Sequence, residues 1–271
     1  MIPTEYNFWL KTNLKKRKTI LPVFIFCMTG WNLGCLAQLN RRDTLKWQTK
    51  LAASGSFLDG NVSRSLFVAR LELAYADTTT GFSTRIDYQY GRTKHSKTEN
   101  DHVSYNFIYL HPLATFYPYM LTITETNYRR QIDFRYQVGP GFSYTVPFNQ
   151  HRILRLSLTG TYEFTRFATT KFTYIIDTLS HKVKVWRLTT RLFGKQSLAA
   201  RKMTASCEFW WQQSITDRYN YRFYNEEVLE IPLNPRFSFR TAFRFTYENV
   251  RVRKLKPYDL FWTFGFSITN L

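Results

Sequence analysis

Arginine and acidic residues recur two positions apart along this chain: Arg70 with Glu72, Arg85 with Asp87, Asp133 with Arg135. Residues two apart in an extended strand share a face, so each pair lies side by side on one surface. More charges take the same parity in their own segments: Arg155, Glu163, Arg187, Arg191, Glu208, Arg240, Arg244 and Glu248, with Lys50, Arg222, Glu226 and Glu230. Charges of both signs on one face suit two roles. They can line a polar conduit with a slight preference for anions, or they can pair with one another and fill a narrow interior. Residues suited to bond-breaking chemistry are sparse. The histidines His95, His102, His111, His151 and His181 fall in loops or at strand ends, and Ser104 lies near His111 in sequence but on the opposite face. A lipid hydrolase needs a nucleophile beside a base. No Gly-x-Ser-x-Gly elbow and no metal-spaced group of histidines and carboxylates is present. The chain reads as a non-enzyme with no cofactor and no metal; a lipid-modifying enzyme using His111 is the alternative.

These charges must be held by strands. Residues 131–146 alternate strictly: Ile132, Phe134, Tyr136, Val138, Phe142, Tyr144 and Val146 on one parity, polar residues or glycine on the other. The segment is far longer than the five or six residues of an ordinary strand, roughly threefold. The pattern recurs in about twelve segments (10–12), near 47–57, 64–75, 82–91, 102–111, 117–128, 131–146, 152–166, 183–193, 202–213, 221–233, 236–248 and 259–270. Helical periodicity is absent there, and turn-rich breaks such as Leu58-Asp59-Gly60-Asn61 separate the segments. The predicted fold is all-β: one antiparallel up-and-down transmembrane β-barrel, greasy outside and charged inside. The outward parity is expected to carry Val103, Tyr105, Phe107 and Tyr109 in the fourth strand, and Tyr117, Tyr119, Leu121 and Ile123 in the fifth. The longest connections, 92–101, 167–182 and 249–258, follow the third, seventh and eleventh strands and so share one end. Short turns at the other end match the periplasmic side of outer-membrane barrels. The alternative is a soluble exported β-barrel or sandwich with its aromatic parity inward around a small ligand.

Residues 1–37 have the layout of a secretory signal peptide: Lys11, Lys15, Lys16, Arg17 and Lys18, an apolar run from Ile20 to Trp31, then Cys35-Leu36-Ala37. Lipidation at Cys35 and an uncleaved anchor are the alternatives. Cleavage leaves 38–271 as the barrel, with Cys207 its one cysteine. It removes five positive charges together with Glu5, so +19 falls to +15. An exported basic chain points away from nucleic acid. It points towards outer-membrane lipids and lipopolysaccharide in the bacterial outer membrane, reached through the barrel-assembly machinery. The outer loops carry that charge: Arg92, Lys94 and Lys97, then Lys171 and Lys182, then Arg251, Arg253, Lys254 and Lys256, of which the last four are the expected lipopolysaccharide contacts. Trp47, Trp186, Trp210, Trp211 and Trp262, with Tyr88, Tyr90, Tyr117 and Tyr119, are candidates for aromatic girdles at the membrane interfaces.

Several motifs in order resemble a family. Trp47, Ser54-Gly55-Ser56 and Gly60-Asn61 are followed by Glu125-Thr126-Asn127-Tyr128-Arg129-Arg130-Gln131-Ile132-Asp133-Phe134-Arg135, by Gly139-Pro140-Gly141-Phe142-Ser143-Tyr144, and by Leu156-Ser157-Leu158-Thr159-Gly160-Thr161-Tyr162-Glu163. Over about 47–167 the chain resembles the salt-induced outer-membrane proteins, a bacterial family of unknown function. The resemblance implies an outer-membrane β-barrel and supplies no catalytic residue. Outer-membrane barrels usually end in an aromatic residue read during assembly; here the sequence ends in Asn270-Leu271, with Phe264 and Phe266 close by.

Overall fold

A computed structural model describes residues 46–58, 64–93, 96–146, 152–170, 180–199 and 202–270, all within one compact unit. The expected signal peptide and the Cys35 alternative lie outside these residues. Twelve strands follow in chain order: β1 (Trp47–Leu58), β2 (Arg64–Ala76), β3 (Thr80–Thr93), β4 (Ser96–Leu110), β5 (Phe116–Asn127), β6 (Ile132–Val146), β7 (Arg152–Phe167), β8 (Lys182–Leu198), β9 (Met203–Ser214), β10 (Tyr221–Pro232), β11 (Phe237–Glu248) and β12 (Tyr258–Thr269). Each pairs antiparallel with its sequence neighbours, and β1 pairs with β12 from Lys50↔Thr269 to Gly55↔Phe264, so the sheet closes into a barrel. Closure satisfies every strand edge, which a membrane requires.

The two faces of the strands differ sharply. On β7, Leu156 and Leu158 are about half exposed, whereas Arg155, Ser157 and Thr159 between them are buried. Phe67, Phe142, Trp186, Trp262 and Phe264 face outward in the same way. A continuous apolar belt around a barrel whose charges point inward is unstable in water and favourable in lipid. The chain is therefore a transmembrane barrel of the outer-membrane type, and its place is the bacterial outer membrane. The soluble alternative needs the opposite arrangement, with the aromatic parity inside on all strands.

On two strands the aromatic parity is indeed inside. The register pairs Phe82 with Ile108 and Tyr144 with Phe116, so outward neighbours fix Ile108, Leu110, Phe116 and Met120 as the lipid-facing residues of β4 and β5. Phe107, Tyr109, Tyr117, Tyr119, Leu121 and Ile123 then point into the barrel, where they form a buried cluster with Trp210. The expected outward assignment of these two strands is reversed, and Tyr117, Tyr119 and Trp210 leave the girdle. Trp47, Trp186, Trp211, Trp262, Tyr88 and Tyr90 remain exposed.

The connections also differ from expectation at one point. Residues 92–101 are not a long loop. β3 and β4 continue pairing, through a register shift at Gly91, to Thr93↔Ser96. The long connections that remain are 168–181 and 249–257, both at the end opposite the N-terminus of β1. At two inward positions the backbones come very close. A Cβ on Gly139 would meet the Gly160 carbonyl at 1.9 Å, and one on Gly265 would meet the Ala53 carbonyl at 2.0 Å. Only glycine allows that approach.

Candidate functional site

The barrel interior is crossed by ion pairs. At mid-height, Arg70 on β2 forms a fork to Asp87 on β3 (Nε–Oδ1 2.5 Å, Nη2–Oδ2 3.0 Å) and donates to Glu226 on β10 at 2.7 and 2.9 Å. Arg244 on β11 donates to the same Glu226 at 2.9 Å and lies 3.6 Å from Asp87. Arg85 on β3 reaches Glu208 on β9, with Nη1 2.6 Å from Oε2. Those strands are six places apart in either direction round the ring, so this contact crosses its full width. Arg191 donates Nε to Glu208 at 2.6 Å and stacks near Phe107 and Trp210. Arg85 lies 4.2 Å from the Tyr105 ring centre, which joins the charged layer to the aromatic cluster. Below, Lys50 and Ser267 both contact Glu230, with Arg240 3.8 Å away. Arg155 is buried there against Thr145 and the Tyr117 ring. Glu72 is the partly exposed member of this set, 3.9 Å from Arg70.

A second layer lies nearer the outer end. Glu163 on β7 accepts from Arg187 (Nε 2.9 Å) and from Arg222 on β10. Arg135 on β6 donates to Glu125 at 2.9 Å and to Glu248 on β11 at 2.6 Å. The 128–131 connection adds a strap. Arg130 donates to Glu248 at 2.7 Å and to Asp259 at 2.9 Å, and Arg129 lies 2.9 Å from Asp259. Burial opposes the Arg130 charge, but Glu248 and Asp259 outweigh it and raise its pKa above the ordinary guanidinium value. At Arg129 burial wins and the pKa is lowered. Between the two layers lies a cavity of ≈150 Å³ that runs from Asp87, Tyr105 and Trp210 up to Arg129 and Arg130.

The sequence of residues 51–269 matches the model of a family described as a protein of unknown function, DUF481. The chain belongs to the DUF481 family. No curated protein shows significant similarity to this DUF481 chain. Among solved structures, the NanC porin covers 82% of the chain and 100% of its own length at a TM-score of 0.51 and 9% identity. The translocator domain of the autotransporter NalP from Neisseria meningitidis covers 86% of the chain and 90% of its own length, at a TM-score of 0.44 and 9% identity. At such identity the porin shows a shared barrel fold and nothing finer.

Within this DUF481 barrel, Arg70, Arg85, Asp87, Arg135, Arg155, Glu163, Arg187, Arg191, Glu208, Arg240, Arg244 and Glu248 all lie inside. Asp133 does not. A register shift between Ile132 and Phe134 turns Ile132 inward and leaves Asp133 about half exposed, 3.8 Å from Arg166 on the outer side. The basic 249–257 loop is packed down on the barrel rim. Val252 is buried with Ile132, Phe167 and Val183, and Leu255 packs on that cluster, so the loop folds over the β6–β8 rim. Arg251 donates to the carbonyls of Leu255 and Asn249, whereas Arg253, Lys254 and Lys256 are exposed. His102, His111 and His181 are exposed, and His111 Nδ1 is 3.3 Å from the Thr78 carbonyl. Among the described residues no group of three His, Cys, Asp or Glu side chains could hold a metal. Among the site residues that sequence reasoning missed are Glu125, on the reversed parity of β5, and Arg129, Arg130 and Asp259. Arg129 and Arg130 sit in a turn and so have no strand parity to read, although their motif stood out.

Proposed function

We propose that this chain is a sealed outer-membrane barrel, a structural component of the envelope rather than an open pore. The observation that carries this is the Arg85–Glu208 contact at 2.6 Å, made across the whole ring. Twelve strands lie between the eight that side chains fill and the sixteen or more that leave an aqueous channel. Here long arginines, several of them held by a carboxylate from a distant strand, together with the aromatic cluster, take up that extra space. Among the described residues, His111 is exposed beside the Thr78 carbonyl, and no serine is paired with it as nucleophile. The exposed Arg253, Lys254 and Lys256 support a contact with lipopolysaccharide phosphates, and a membrane barrel implies insertion by the barrel-assembly machinery. The motifs in 47–167 support kinship with the salt-induced outer-membrane proteins.

Planar-bilayer recording tests the seal. Wild-type protein is expected to be silent, and the Arg85→Ala, Glu208→Ala double variant to show stepwise openings. Regular openings from folded wild type would reject the sealed reading in favour of a pore.

A further inference from the structure

The cavity between the two ionic layers has an uneven set of unpartnered groups. Gln89 Nε2, Arg222 Nε and Tyr224 OH are buried, line the cavity and have no hydrogen-bond partner among the described residues, and Arg129 Nε at its upper edge is in the same state. Each can donate a hydrogen bond. Gln89 and Arg222 are more than nine-tenths buried. The carboxylates facing the same space are committed. Asp87 accepts from Arg70, Glu125 from Arg135, Glu248 from Arg135 and Arg130, Asp259 from Arg130, and Asp101 from the Tyr128 amide.

Arg222 has no carboxylate of its own. It shares Glu163 with Arg187, and its 3.5 Å contact to Glu248 competes with Arg130 and Arg135. A buried guanidinium with a divided counter-charge and an idle donor favours one more oxyanion. A volume of ≈150 Å³ suits a single small molecule.

We propose that the outer half of the barrel binds a small oxyanion, a carboxylate or a phosphate, through Arg222, Gln89 and Tyr224. The site does not depend on the seal: conductance reads one and ligand affinity the other.

The test is calorimetric titration of detergent-solubilised full chain with inorganic phosphate in one arm and glucuronate in the other. Saturable binding in either arm is expected, and the arm that binds identifies the anion. Arg222→Gln should weaken it at least about tenfold, as loss of one charge-assisted hydrogen bond implies. Tyr224→Phe, which removes only a hydroxyl, should weaken it severalfold while the barrel keeps its heat-modifiable gel mobility. Two results overturn the proposal: no saturable heat in either arm, which leaves a water-filled cavity, or binding that Tyr224→Phe and Arg222→Gln leave unchanged in folded protein.

Discussion

Arg130 Nη1 stands 2.7 Å from Glu248 Oε2, although Arg130 lies in the turn between β5 and β6 and Glu248 ends β11, about half-way round the ring. A turn that joins two neighbouring strands is thus tied to the opposite wall. The same guanidinium also holds Asp259 on β12 and the Thr246 hydroxyl. The outer mouth cannot widen without breaking this strap. Arg130→Ala leaves two carboxylates inside without their shared partner, and breaking a buried pair costs about 3–5 kcal/mol. The expected outcome is a clear fall in the denaturant midpoint of the folded barrel, read by heat-modifiable mobility. A variant as stable as wild type would show that the strap is not part of what holds the mouth.

Glu163 plays the matching part on β7. It is almost fully buried and serves Arg187, Arg222 and the Thr165 hydroxyl together. Glu163→Gln keeps the shape and removes the charge, so two guanidiniums repel with nothing between them. A loss of about 3–5 kcal/mol is expected. Adding Arg222→Gln should restore part of it, because the repulsion needs both arginines. If the double variant is the less stable by the full sum of the two single effects, the three residues do not act as one network.

Much of the barrel is legible in the sequence because lipid outside and charge inside impose a period of two on nearly every strand. Alternation has no sign, however, and β4 and β5 show the consequence. Their lipid face is built from Ile108, Leu110, Phe116 and Met120, and their inner face from Phe107, Tyr109, Tyr117 and Leu121. Both faces are apolar, so only pairing to β3 and β6 decides between them. Asp133 was illegible for a related reason: one register shift moves it off the inner parity. The polar run Ser96–Asp101 has loop composition, yet β3 supplies the partners that make it a strand. Contacts between strands far apart on the ring, such as Arg85 with Glu208, depend on how the ring closes and leave no trace in local sequence.

The reversed parity of β5 gives a sharp substitution test. Met120 is 44% exposed towards lipid, whereas Leu121 beside it is fully buried. An arginine on the lipid face well inside the bilayer costs about 2–4 kcal/mol. Truncating a buried leucine costs a similar amount, about 2–5 kcal/mol, through the cavity it leaves. Met120→Arg should therefore impair insertion into vesicles, and Leu121→Ala should insert normally but unfold at lower denaturant. Normal insertion of Met120→Arg would mean that position 120 faces the lumen.

The 249–257 loop divides its charges between two environments. Arg251 holds the Leu255 and Asn249 carbonyls and so shapes the loop, whose Val252 anchors it against Ile132 and Phe167. Arg253, Lys254 and Lys256 stay exposed, and each basic group near an anionic surface contributes about 1 kcal/mol. Replacing those three by Gln should lower lipopolysaccharide co-purification and make the remainder less sensitive to salt. Arg251→Gln should behave the other way, loosening the loop while changing retained lipopolysaccharide little. Equal lipopolysaccharide loss from both variants would mean that the lipid is held by the folded loop as a whole and not by its three exposed cations.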